Sequence, residues 1–123
     1  EVLLIAGVLR ATVLDLRKGL EGKSGGITAA MYESYLASIR SCGGLMFQVT
    51  DEIKQSAWDG VLSVVVEVTS VMRDIMRSFP LEDASLFRPS LIMTIADLPS
   101  LHRHMLRKWI MSQDLDNIVQ RHL

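Results

Sequence analysis

Residues 58–79 read WDGVLSVVVEVTSVMRDIMRSF, and the period hidden in this stretch decides the fold. Val64, Val65, Val66 and Val68 favour a strand by propensity, because β-branched side chains suit a pleated surface. The polar positions point the other way. Ser63, Glu67, Ser70, Asp74 and Arg77 recur at steps of four, three, four and three, the spacing of one face of a helix. The opposite face collects Val61, Val65, Val68, Met72, Ile75 and Phe79. Ser56 followed by Asp59 offers a capping box ahead of the segment, and Pro80 a stop behind it. One continuous helix is predicted, with Val65, Val68, Met72 and Ile75 buried and Glu67 and Asp74 in water.

The segment before it repeats the pattern less cleanly. Val2, Ile5, Leu9, Val13, Leu16 and Leu20 form one helical stripe, while Leu3, Leu4, Val8 and Leu14 widen it until little of the first three turns is polar. Leu3, Leu4 and Val8 lie outside the face that serves the core, so they are the candidate partner-binding residues. Gly22-Lys23-Ser24-Gly25-Gly26 ends this helix. A second helix is predicted over residues 28–42, burying Met31, Tyr35, Leu36 and Ile39, with Gly43 and Gly44 as its left-handed C-terminal cap. A shorter helix over 45–57 follows from Met46, Val49, Ile53 and Ala57. After Pro80, one helix is expected near 89–98, and a last one from the Asp97-Leu98-Pro99-Ser100 break to Val119.

The sum is an all-α chain, a single-domain bundle of five or six antiparallel helices over residues 1–123. The length suits one core and not two. Hydrophobic residues make up 49% and charged residues 22%, far from the charge-rich signature of disorder. No internal repeat is visible in the sequence. The apolar opening at Glu1 suggests a piece of a longer protein. Arg10 interrupts the first apolar run too early for a membrane span, which needs about 20 apolar residues, so no membrane is expected. A single cysteine, Cys42, cannot be stapled internally and favours a reducing compartment, cytoplasmic or nuclear.

Chemistry is thinly represented. Gly22-Lys23-Ser24 resembles the end of a phosphate loop, but Arg17 stands where the pattern needs its first glycine. Cys42 lies near a predicted helix C-terminus, where the dipole disfavours a thiolate, so it reads as a small buried hydrophobe. His102 and His104 are two residues apart, about 200° around a helix, and cannot share a metal from one face. The acids at Asp51-Glu52, Glu82-Asp83 and Asp114 with Asp116 stand beside turns or helix starts, where they complement the helix dipole. Most of the seven methionines fall on apolar stripes and read as core. No cofactor, metal or small-molecule substrate is implied, and no enzyme is expected.

The net charge of −1 gives no overall field toward nucleic acid or anionic lipid. The one concentrated basic run is LHRHMLRKW, residues 101–109, where Arg103, Arg107 and Lys108 are the possible contacts for an anionic ligand. The expected function is therefore a non-catalytic protein-protein interaction or oligomerisation module, its partner a protein or a second copy. A nucleic-acid-binding or regulatory module acting through 101–109 stands second.

Overall fold

The computed structural model describes residues 2–21, 29–78 and 84–122. Among them the chain forms four α-helices, α1 (Val2–Glu21), α2 (Ala29–Gln48), α3 (Trp58–Ser78) and α4 (Ala84–His122). Two 3-10 turns, Thr50–Glu52 and Gln55–Ala57, link α2 to α3. No strand occurs among the described residues, and the chain is all-α. None of the described helices is long and apolar enough to cross a membrane.

α3 is the helix that the polar period predicted. Val61, Val65, Val68, Met72 and Ile75 are buried, Asp74 is exposed, and Glu67 is partly covered at the seam with α1. Burying aliphatic side chains contributes about 1.5–3 kcal/mol each, which overrides the strand propensity of the valines. Thr69 adds a hydrogen bond from its hydroxyl to the Val65 carbonyl at 2.7 Å, keeping a buried polar group satisfied.

α1 packs on α2 and α3, and α4 packs on the same two, so the four close a ring around one core. The Cδ2 of Leu3 lies 3.4 Å from where a Cβ on Gly60 would stand, and Arg10 reaches Glu67 at 2.9 Å. These pairs advance together along both helices, so α1 and α3 run parallel. Gly43 beside Leu101 and Phe47 beside His104 say the same of α2 and α4. Connected helices must instead run antiparallel. Val49, just past the end of α2, lines one hollow with Val2 and Leu3 at the start of α1, and Gln55, just before α3, accepts a hydrogen bond from Ser112 in the second half of α4. The bundle is thus two antiparallel hairpins laid side by side in parallel.

The inward stripe of α1 is Val2, Ala6, Leu9, Val13 and Leu16. That of α3 is Val61, Val65, Val68, Met72 and Ile75, the same spacing displaced by 59 residues. The recurrence escapes sequence comparison because spacing is kept while residue types change, Ala6 answering to Val65 and Val13 to Met72.

Several expectations are corrected. Among the described residues four α-helices stand in place of five or six, because two breaks do not occur. Gly43 and Gly44 do not cap α2; they lie inside it. Two interior glycines cost about 2 kcal/mol together, and continuing the helix keeps Met46 fully buried on the stripe of Leu36, Ile39 and Cys42. The expected helix over 45–57 is accordingly the last turn of α2 followed by the two 3-10 turns. Pro99 does not break α4. An interior proline costs about 3 kcal/mol, less than burying Leu98, Leu101 and Met105 on one continuous face. Met31 is exposed and Tyr32 takes its place in the core, with Tyr35 half-buried. Ser56 sits within the second 3-10 turn, which runs straight into Trp58, so it does not stand at the start of α3. Phe79, Pro80, Glu82-Asp83 and Gly22-Lys23-Ser24 lie outside the described residues.

Candidate functional site

The outward face of α1 is the first candidate. Leu3, Leu4 and Val8 keep 54%, 70% and 47% of their surface in solvent. Gly7 and Ala11 are exposed between and beyond them, so the first three turns present a continuous uncharged surface. The charged residue in those turns, Arg10, is already engaged: its Nε donates to the Glu67 carboxylate at 2.9 Å. That hydrogen bond holds the Glu67 carboxyl below its ordinary value and the Arg10 guanidinium above its own. At the start of α1 the face continues into a hollow of about 400 Å³ lined by Val2, Leu3, Val49 and Ala57, with Glu52 and Lys54 at its rim.

The basic run at 101–109 is drawn into the fold. Leu101 and Met105 are buried, and Trp109 packs partly covered against the core. Lys108 Nζ pairs with Asp51 Oδ1 at 2.9 Å, so the acid that the local sequence lacks is supplied by the link between α2 and α3. The His104 ring stacks on Phe47 with centroids 3.9 Å apart and planes 15° from parallel. Arg103 donates to the Ser100 hydroxyl at 3.3 Å, and Arg107 is exposed. Arg103, Arg107 and Lys108 are thus divided between local contacts and solvent.

A third feature was hidden by reading Gly43-Gly44 as a helix cap. A groove of about 240 Å³ opens between α2 and α4, lined by Ile39, Arg40, Gly43, Gly44, Phe47 and Leu98 among others. The available signal was the apolar spacing Ile39, Cys42, Met46, which carries straight through the glycines.

Among the described residues no three His, Cys, Asp or Glu side chains converge as metal ligands do. Cys42 is buried in the middle of α2 and not at its end, and burial pushes its thiol above the ordinary value. Desolvation, and not the helix terminus, is what opposes its thiolate. The seven methionines divide: Met46, Met72 and Met105 fill the core, while Met31, Met76, Met93 and Met111 are exposed.

Comparison of the chain with protein-family models, curated proteins and solved structures finds no match in any of the three.

Proposed function

We propose that this chain is a non-catalytic protein-interaction module of an intracellular protein, associating with a second copy of itself through the outward face of α1. The observation that carries the reading is the uncharged surface of Leu3, Leu4, Gly7, Val8 and Ala11, left open by a fold that has already closed its own core. Apolar area taken out of water is the general driving force for such contacts, and Arg10 need not be desolvated unpaired because Glu67 answers it.

The order of side-chain sizes favours a copy over an unrelated surface. A two-fold interface must complement itself. If two α1 helices cross antiparallel about an axis between Gly7 and Val8, Leu4 faces Ala11 of the other copy and Val8 faces Gly7. Each large side chain then meets a small one, and Asp15 and Lys18 stay beyond the contact. Five residues fall well short of the ~800 Å² per partner of a standard complex, so the association is weak. The basic run ranks second as a binding surface because Lys108 and His104 already have partners within the chain.

Cross-linking tests the register. Val8→Cys, next to the axis, is expected to form a disulfide dimer under mild oxidation much faster than Lys18→Cys. Equal rates for the two would remove the α1 interface.

A further inference from the structure

We infer that the hollow at the start of α1 is the charged half of a self-association interface, receiving Asp15 and Lys18 of a second copy. Lys54 answers the partner's Asp15, and Glu52 answers the partner's Lys18. The inference rests on the reading of the α1 face as a dimer contact and adds what lies beyond its apolar part.

The outward stripe of α1 does not end where it ceases to be apolar. Leu4, Val8, Ala11, Asp15 and Lys18 are all exposed and recur at steps of four, three, four and three, the spacing of a single helical face. The stripe is apolar in its first half and charged in its second. In the antiparallel crossing that sets Leu4 against Ala11 and Val8 against Gly7, the two apolar halves cover each other. The charged half of each copy then runs past the first turn of the other's α1. At 1.5 Å per residue the partner's Asp15 and Lys18 lie about 3 Å and about 7.5 Å ahead of Val2 along the axis. The hollow of about 400 Å³ opens at that end, between Val2 and Leu3 of the first turn and Val49, Glu52, Lys54 and Ala57 of the link.

Charge complementarity selects the second copy as occupant. Ile53 stands in extended backbone and is buried, which leaves Glu52 and Lys54 exposed on either side of it. Asp15, Lys18, Glu52 and Lys54 form no ion pair with another described residue. The rim therefore offers one acid and one base, and the overrunning stripe brings one base and one acid, their Cβ atoms about 5–6 Å apart on the helix. The aliphatic stem of Lys18 lies along Val49 and Ala57 while its ammonium reaches Glu52. Two-fold symmetry makes the contact twice in each dimer. Exposed pairs add little affinity singly, but they fix orientation. A parallel crossing would set Asp15 against the partner's Asp15 and Lys18 against the partner's Lys18.

Two charge swaps test this, one on the rim, Glu52→Lys with Lys54→Glu, and one on the stripe, Asp15→Lys with Lys18→Glu. Sedimentation velocity at low salt follows association, beside thermal melts of each chain. Both variants should melt as the unaltered chain does, because all four side chains are exposed. Each alone should weaken dimerisation by roughly tenfold, since every dimer then holds repulsive pairs in place of weakly attractive ones, and the difference should fade as salt is added. Mixing the two variants should restore the association of the unaltered chain. In the mixed dimer the swapped rim meets the swapped stripe, and the native rim meets the native stripe. The inference is overturned if either swap leaves association unchanged, or if the mixture associates no more tightly than the separate variants. A swap that unfolds the chain would also overturn it, since these charges would then serve the fold. In each of those cases a dimer that Leu4→Lys with Val8→Lys abolishes leaves the α1 reading standing. An unaltered chain that stays monomeric, or a dimer indifferent to those two lysines, overturns both.

Discussion

α1 and α3 bury five side chains each at the same spacing and lie parallel in the bundle, yet their outward faces are made of different materials. α3 turns Asp59, Ser63, Ser70, Arg73, Asp74 and Arg77 to solvent, with Val66 and Met76 as apolar exceptions. The first three turns of α1 expose Leu3, Leu4, Gly7, Val8 and Ala11. The shared part is what the bundle requires of any helix in that position. The difference is not required by the bundle, since α3 fills an equivalent place with a polar exterior. A surface that the fold does not need to be apolar is where a binding role is most economically sought.

The comparison is broken most severely from the inside. Val13→Asp and Val68→Asp each place an unpaired carboxylate where a fully buried valine stood, and each is expected to cost about 3–5 kcal/mol. That is a large part of the 5–15 kcal/mol that holds a domain together. Thermal melts should fall by similar amounts for both. A mild effect at either position would show that the two inward stripes are not equivalent.

A smaller effect is expected at high pH. Burial pushes the Tyr32 phenol up to about 12, with the charge of Glu33 adding to it. Because the folded state holds this proton more tightly than the unfolded chain, its stability contribution is complete below about pH 10 and is lost as pH rises toward 12. Cys42, pushed in the same direction by burial, adds to the alkaline loss. Denaturant titrations between pH 9 and 12 should show less loss in Tyr32→Phe than in the unaltered chain. Identical slopes would mean that the ring is not desolvated.

Smaller still is the seam between the two compared helices. The Arg10–Glu67 pair is solvent-exposed, so Glu67→Gln should shift Tm slightly, with the difference fading as salt is added. Its sign with pH follows from the depressed Glu67 carboxyl. The contribution is present above the ordinary value of 4.5 and is lost as pH falls through the lower folded value. A large, salt-independent loss would show that the seam is less exposed than its geometry indicates.

How much of this was legible in the sequence depended on where the deciding force acted. α3 was readable because its period and its burial agree at Val61, Val65, Val68, Met72, Ile75 and Asp74, while Glu67, expected in water, is partly covered at the seam with α1. α1 was readable as an over-wide apolar helix, and Leu3, Leu4 and Val8 do lie outside the core. The C-terminal end of α2 and the continuity of α4 were misread because glycine and proline are local signals of about 1–3 kcal/mol. Met46, Leu98 and Leu101 outweigh them only through contacts with other helices. The α2–α4 groove and the Lys108–Asp51 pair were not legible, since both depend on segments 57 residues apart meeting in the parallel pairing of hairpins.

The central claim is that the outward face of α1 serves association and not folding. Its most direct test is sedimentation velocity of the unaltered chain and of Leu4→Lys with Val8→Lys, from about 5 to 500 µM, beside thermal melts of both. The lysine variant is expected to melt within about 0.5 kcal/mol of the unaltered chain, as surface changes do. The unaltered chain should move toward twice its monomer mass across the series, while the variant stays monomeric. An unaltered chain that remains monomeric throughout, or a lysine variant that unfolds, would contradict the account.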